Sequence, residues 1–175
     1  DTRSGEIAKN FLENTSGILT ADGYAGYNSS CTPEGRSRSG CWAHVRRKFF
    51  ESINTAKEDA TEAMLMIGEL YKVELDAAVE KIIGTDAHLA MRKKISSVII
   101  ERIKTACAQW KDRHPPKSPM GKALTYIENQ WSELTICLND ANIRLDNNLS
   151  ENALRIIALG RKNFMFVGTK QAGQN

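Results

Sequence analysis

The stretch "LDNNLSENALR", residues 145–155, decides how the chain is read. Asparagine and serine just ahead of an apolar-periodic run mark the start of a helix. A short extended piece around "NIRLD" leads into it, so the chain returns here from a helical middle to mixed structure and is not all-helical. Glu151 then has two readings. Asn148, Leu149, Ser150 and Glu151 fit a variant capping box, in which Asn148 accepts from the amide three residues on and Glu151 reaches back to the cap amide. Alternatively Glu151 holds a metal ion. The two roles compete for the same oxygens, since a hard cation such as magnesium wants oxygen ligands at roughly 2.0–2.1 Å.

Upstream, from about Asp59 to His114, helix formers dominate and apolar residues recur at helical spacing. Met64, Ile67, Leu70 and Tyr71 form one stripe; Leu89, Ile95, Val98, Ile99 and Ile103 form most of another. "HPPKSP" interrupts the block, because proline removes a donor and pushes its predecessor out of the α region. A further helix resumes at "GKALTYIENQWSELTICL", with Ala123, Ile127, Trp131 and Leu134 on one side. This periodicity predicts that Leu70, Val98, Ile127 and Trp131 are buried. Strand signals flank the block. "GILTAD", 17–22, reads as a buried strand and "CWAHV", 41–45, as a second, with the Gly- and Ser-rich stretch between them as loop. A short helix with Ile7 and Phe11 precedes them, and "NFMFVG" near the end is β-like. The expected fold is therefore α/β, with 1–55 and 141–175 as a mixed core and 56–140 as a large all-helical insertion.

At 175 residues the chain suits one domain interrupted by an insertion, and 41% apolar with 26% charged residues excludes a disordered or fibrous class. No apolar run approaches the roughly 18 residues of a membrane span, and "DTRSGEIAKN" has no signal-peptide pattern. The four cysteines form no CxxC pair, which suits a reduced, cytoplasmic protein. Cys31, Cys41 and His44 lack an evident fourth zinc ligand, so ordinary buried thiols are expected. A net charge of +3 is too mild to argue for nucleic acid, but cations cluster at Arg46, Arg47 and Lys48 and at Arg155, Arg161 and Lys162. Each cluster alone reads as a solvated face. Asp22 ends the first strand before Gly23 and is either a metal ligand or a turn aspartate.

Taken in order, "TADGYAGY", "GCWAHVRRKFFE", "PPKSPMGKALTYIENQW" and "LDNNLSENALRIIALGRKNFMFVG" resemble the transposases of the bacterial IS66 insertion-sequence family over nearly the whole chain. The resemblance implies a DDE transposase: a partial ribonuclease-H-like domain in which three carboxylates bind two Mg2+ or Mn2+ ions for DNA strand cleavage and strand transfer. Asp22 then matches the second aspartate and Glu151 the glutamate, both catalytic and metal-binding. The family's first aspartate is expected on an earlier strand, which this chain does not include, so the chain alone is expected to be inactive. Cys41 and His44 match a C/D-x-x-H signature, with Asn147 and Asn148 in supporting positions. DNA is the implied partner, contacted by Arg46, Arg47, Lys48, Arg155, Arg161 and Lys162. An exposed sheet edge makes a homo-oligomer a further expectation. Two other classes stay open: a non-catalytic DNA-binding or oligomerisation module, and a nuclease that cuts without joining.

Overall fold

A computed structural model of the chain describes residues 5–13, 15–31, 36–153 and 155. Helix α1 (Gly5–Leu12) leads to strand β1 (Gly17–Thr20), which pairs in parallel with β2 (Arg36–Ser39), Gly17 opposite Arg36 and Thr20 opposite Ser39. A 3-10 helix, Ala25–Ser30, lies in the crossover. β2 is the polar sequence "RSRS", inside the expected loop, and it stands where it does because of what Arg36 and Ser39 bury. The Arg36 guanidinium donates to the carbonyls of Leu12 and Ser30, at 2.7 and 2.9 Å, and also to Thr15. These bonds to carbonyl oxygens satisfy the guanidinium and let a buried charge serve as the inward side chain of a strand.

The second strand expected at 41–45 is instead the start of helix α2 (Trp42–Glu51). Trp42, Val45 and Phe49 are buried, a spacing of three and four that only a helix places on one face. β-Forming residue types in "CWAHV" mimic a strand over five positions, and the longer helical period overrides them.

Helices fill the chain from Lys57 to Thr135. α3 (Lys57–Val79) buries Ala60, Ala63, Ile67, Leu70, Val73 and Ala77 along one face, as its periodicity predicts. Lys81 closes it in the left-handed region at φ 60°, with the Ile82 N–H bonded to the Ala77 carbonyl. α4 (Asp86–Met91) is capped by the Thr85 hydroxyl, a π turn spans Arg92–Ser96, and α5 (Ser97–Lys111) follows. After the proline break, Ser118 caps α6 (Pro119–Asn129); α7 (Trp131–Thr135) and a 3-10 turn, Ile136–Leu138, complete the layer. The chain is helical again at 148–153. One core joins α2, α3, α5 and α6, with Phe49 set edge-on to Trp110 at 6.4 Å. The expected strand "NFMFVG" lies outside the described residues.

The second predicted stripe is only half right. Ile99 and Ile103 are buried, but Val98 is 58% exposed and Ile95 43%. The π turn at Arg92–Ser96 widens the helix to a period near four, so His88, Arg92, Ser96 and Ile100 share the inward face. That face begins polar, which an apolar pattern cannot register. Leu70 and Ile127 are buried as expected, and Trp131 is half-buried.

Arg92, 1% exposed, forks onto Glu74 of α3 through Nε (2.8 Å) and NH2 (2.6 Å), while NH1 donates to the carbonyls of Cys137 and Asp140. His88 receives the Gly84 N–H on Nδ1 and turns Nε2 to Glu74 at 3.3 Å. Glu74→Ala leaves the guanidinium buried without its counter-ion and is expected to destabilise the protein by about 3–5 kcal/mol, whereas Val98→Ala stays within about 0.5 kcal/mol. Urea titration of both variants measures the contrast.

Candidate functional site

The site is assembled where β1 ends, α2 begins and helix 148–153 begins. Pairing continues one residue past β1, the Ala21 N–H donating to the Ser39 carbonyl at 3.0 Å, so the chain leaves the strand in a fixed direction. Half-buried Asp22 comes next. Its Oδ1 accepts the Tyr24 N–H at 3.2 Å, the turn role open to it, and its other oxygen takes no part in that bond. Gly23 donates its N–H to the Tyr126 hydroxyl of α6 at 3.1 Å. A Cβ on Gly23 would stand 2.9 Å from the Tyr126 ring, so this approach needs glycine.

α2 is held at its first turn. The Trp42 N–H donates to the Leu145 carbonyl at 2.8 Å and its indole N–H to the Leu134 carbonyl at 3.1 Å. Gly40 packs under α7, where a Cβ would lie 3.0 Å from the Leu134 side chain. The Cys41 thiol is pushed up by burial, an effect partly offset by the Asn147 N–H directed at its sulfur. "CW" and "LDN" are thus tied at two successive points.

The return helix starts one residue earlier than the capping box requires. The Asp146 Oδ1 accepts the Asn148 N–H at 3.0 Å, and the Glu151 N–H bonds to the Asn147 carbonyl at 3.0 Å, so Asn147 occupies the cap position. Glu151 does not reach back. Its Oε1 faces His44 Nε2 at 3.4 Å, an ion-pair distance longer than a tight hydrogen bond. Arg155, one turn further on, is exposed, and the ion pair that Glu151 makes among the described residues is with His44. His44 is 15% exposed at its side chain, and its buried Nδ1 has no partner among the described residues, nor has Asn147 Oδ1.

Tyr27 is half-buried in the 3-10 helix that follows Asp22. Its phenol is pushed up first by burial and then by the charges of Asp22, Tyr24 and Glu151. Tyr126 is raised by burial and by Asp22, and Tyr71 by burial and by the neighbouring Asp146. Tyr27, Tyr126, Trp42 and Asp146 are the members that sequence reasoning passes over. The repeated "GYAGY" beside Asp22 and the tryptophan inside "CWAH" were the available signals.

Arg46 and Arg47 are exposed on α2, and Lys48 pairs with Glu51 at 3.0 Å. Arg161 and Lys162 lie outside the described residues. Among the described residues Cys31 is not gathered with Cys41 and His44, and no group of three or more His, Cys, Asp or Glu side chains is arranged to hold a metal ion. None of the described helices is long and apolar enough to cross a membrane.

A two-stranded parallel sheet beside a layer of helices, with the returning helix held against α2 through His44 and Glu151, sets the class: a mostly helical domain with a small parallel sheet. The chain belongs to the Transposase IS66 family, whose model matches residues 1–175. It is similar to three proteins of Sinorhizobium fredii. These are uncharacterized protein y4jD, 29% identical over 99% of this chain and 35% of that protein; y4qI, 29% over 99% and 33%; and y4hP, 28% over 97% and 33%. The chain spans about a third of the length of these curated relatives. No solved structure matches it.

Raised phenols bind their protons more tightly in the folded than in the unfolded state. Their stabilising contribution is complete below the unfolded value near 10 and is lost as pH climbs through the folded value. Alkaline titration at 295 nm should show Tyr27, Tyr71 and Tyr126 ionising later than free tyrosine. The urea midpoint should fall above about pH 10, and less steeply in Tyr71→Phe.

Proposed function

We propose that this chain is part of the catalytic domain of a DNA transposase, with Asp22 and Glu151 as two of the carboxylates of a metal-dependent, ribonuclease-H-like centre. The observation that supports the reading is the His44–Glu151 contact, which sets the histidine of "CWAH" against the glutamate of the returning helix, in a chain of the Transposase IS66 family. Asp22 keeps one oxygen outside its turn bond and Glu151 keeps Oε2 outside its contact with His44, so each has an oxygen for a hard cation. A complete site needs a further carboxylate that the described residues do not supply. Bound Mg2+ or Mn2+ ions would activate the attacking oxygen and stabilise the leaving one.

The chain's own residues have separate tasks in this reading. Asp22 presents its carboxylate from a rigid strand end, and Gly23, pinned on Tyr126, stops that loop from drifting. His44 holds one oxygen of Glu151 and so orients the other. Exposed Arg46 and Arg47 on α2 and Arg155 beyond Glu151 offer cations suited to phosphates, and Lys48, Arg161 and Lys162 are further candidates from the sequence. Water attack first frees a 3′ hydroxyl at the element's end, and that hydroxyl then attacks the target strand.

The test uses the full-length protein, labelled element-end DNA and Mn2+. Glu151→Gln and Asp22→Asn should each reduce cleavage by at least about 100-fold, more than loss of an orienting partner. DNA affinity should stay within about twofold. Joined products identify a transposase, and cleavage products that never join identify a nuclease. Cleavage that survives Glu151→Gln overturns the assignment.

A further inference from the structure

Next to the His44–Glu151 contact, α2 and α3 enclose a groove of about 580 Å3. It is lined by Arg46 and Arg47, by the apolar and aromatic side chains of Phe50, Met64 and Tyr71, and by Asn148 from the first turn of the helix that carries Glu151. Phe50 is 62% exposed, a large aromatic surface left in water. The floor at Gly68 is open, since a Cβ there would meet nothing within 4 Å. Among the described residues no carboxylate lines this groove. Other grooves of the molecule differ in this respect: Glu62 and Glu101 line the one between α3 and α5, and Asp112 and Glu128 the one beside Trp131.

We propose that this groove binds an unstacked nucleotide of a single DNA strand, with its base against Phe50 and the flanking phosphates on Arg46 and Arg47. Two observations select that occupant. The two guanidiniums, with no counter-charge in the groove lining, complement a polyanion and would repel a cationic partner. An exposed aromatic face matches the face of a base, which a closed duplex keeps inside its stack, whereas an unpaired strand offers it freely. Asn148 lies one helical turn before Glu151, so a strand seated here runs on toward the acidic centre. The inference rests on the reading of that centre as one that processes DNA strands, and it adds what form the DNA takes beside it.

Fluorescence anisotropy on the full-length protein in EDTA tests it, with an oligothymidine dodecamer and a duplex of equal length as probes. Phe50→Ala should weaken oligothymidine binding by about tenfold and duplex binding by less than about twofold, because one stacked base is lost and no phosphate contact is. Phe50→Trp should restore the affinity. The double variant Arg46→Ala, Arg47→Ala should weaken both probes and flatten the salt dependence. Phe50 is exposed, so circular dichroism of Phe50→Ala should match the parent. Equal effects of Phe50→Ala on both probes, or none on either, overturn the proposal, as does equal binding of polyglutamate, which would make the groove a site for acidic protein. EDTA removes metal-dependent cleavage from the readout. Loss of the Phe50 effect with Glu151-dependent cleavage intact therefore refutes the groove alone, and the reverse refutes the catalytic reading alone.

Discussion

The guanidinium of Arg92 is the point on which the molecule turns. It is buried, forks onto Glu74 of α3, and spends its remaining donors on the carbonyls of Cys137 and Asp140, where the helical layer ends. Those carbonyls belong to a turn that would otherwise be free to leave the layer in several directions. Fixing it sends Ile143 and Leu145 into the core, and the Leu145 carbonyl meets the Trp42 N–H. A buried ion pair is weak evidence for stability, because desolvation offsets much of its attraction. Its effect here is on direction, since no hydrophobic contact could hold two particular carbonyls in place.

That arrangement explains how residues as far apart in sequence as His44 and Glu151 come into contact. Closing a long loop costs little more than closing a shorter one, because the entropic term grows only with the logarithm of length. The obstacle is precision. A flexible excursion from α2 to residue 145 would return anywhere over many ångströms, whereas a packed layer anchored at Arg92 and Trp42 returns to one place. The helices between 57 and 138 thereby set the position of Glu151 without contributing a ligand.

Much of this was legible in the amino-acid order. The stripe of α3, the proline break and the capped start of α6 follow rules of local spacing, and the structure keeps them. The failures share a cause: polar residues facing inward. Arg36 and Ser39 make "RSRS" a strand, and His88, Arg92 and Ser96 carry the buried face through a π turn, displacing Val98 to the surface. Apolar periodicity is blind to such positions, because whether an arginine is buried depends on carbonyls supplied by distant segments. In the site, Asp22 and Glu151 could be singled out as carboxylates at element ends. The roles of Tyr27 and Asp146 could not, since both arise from contacts across the fold.

Glu151 shows why a helix start is a suitable place for such a carboxylate. A glutamate that completes a capping box is held by its own backbone and has less of its charge to offer elsewhere. Here the orphan amide is taken by Asp146 and the Cys41 sulfur takes the Asn147 N–H, so the end of the helix is satisfied from outside. Glu151 is thereby released to face His44. Capping and chemistry are divided between neighbouring residues, and it is this division that frees one glutamate for the site while its helix stays anchored to α2.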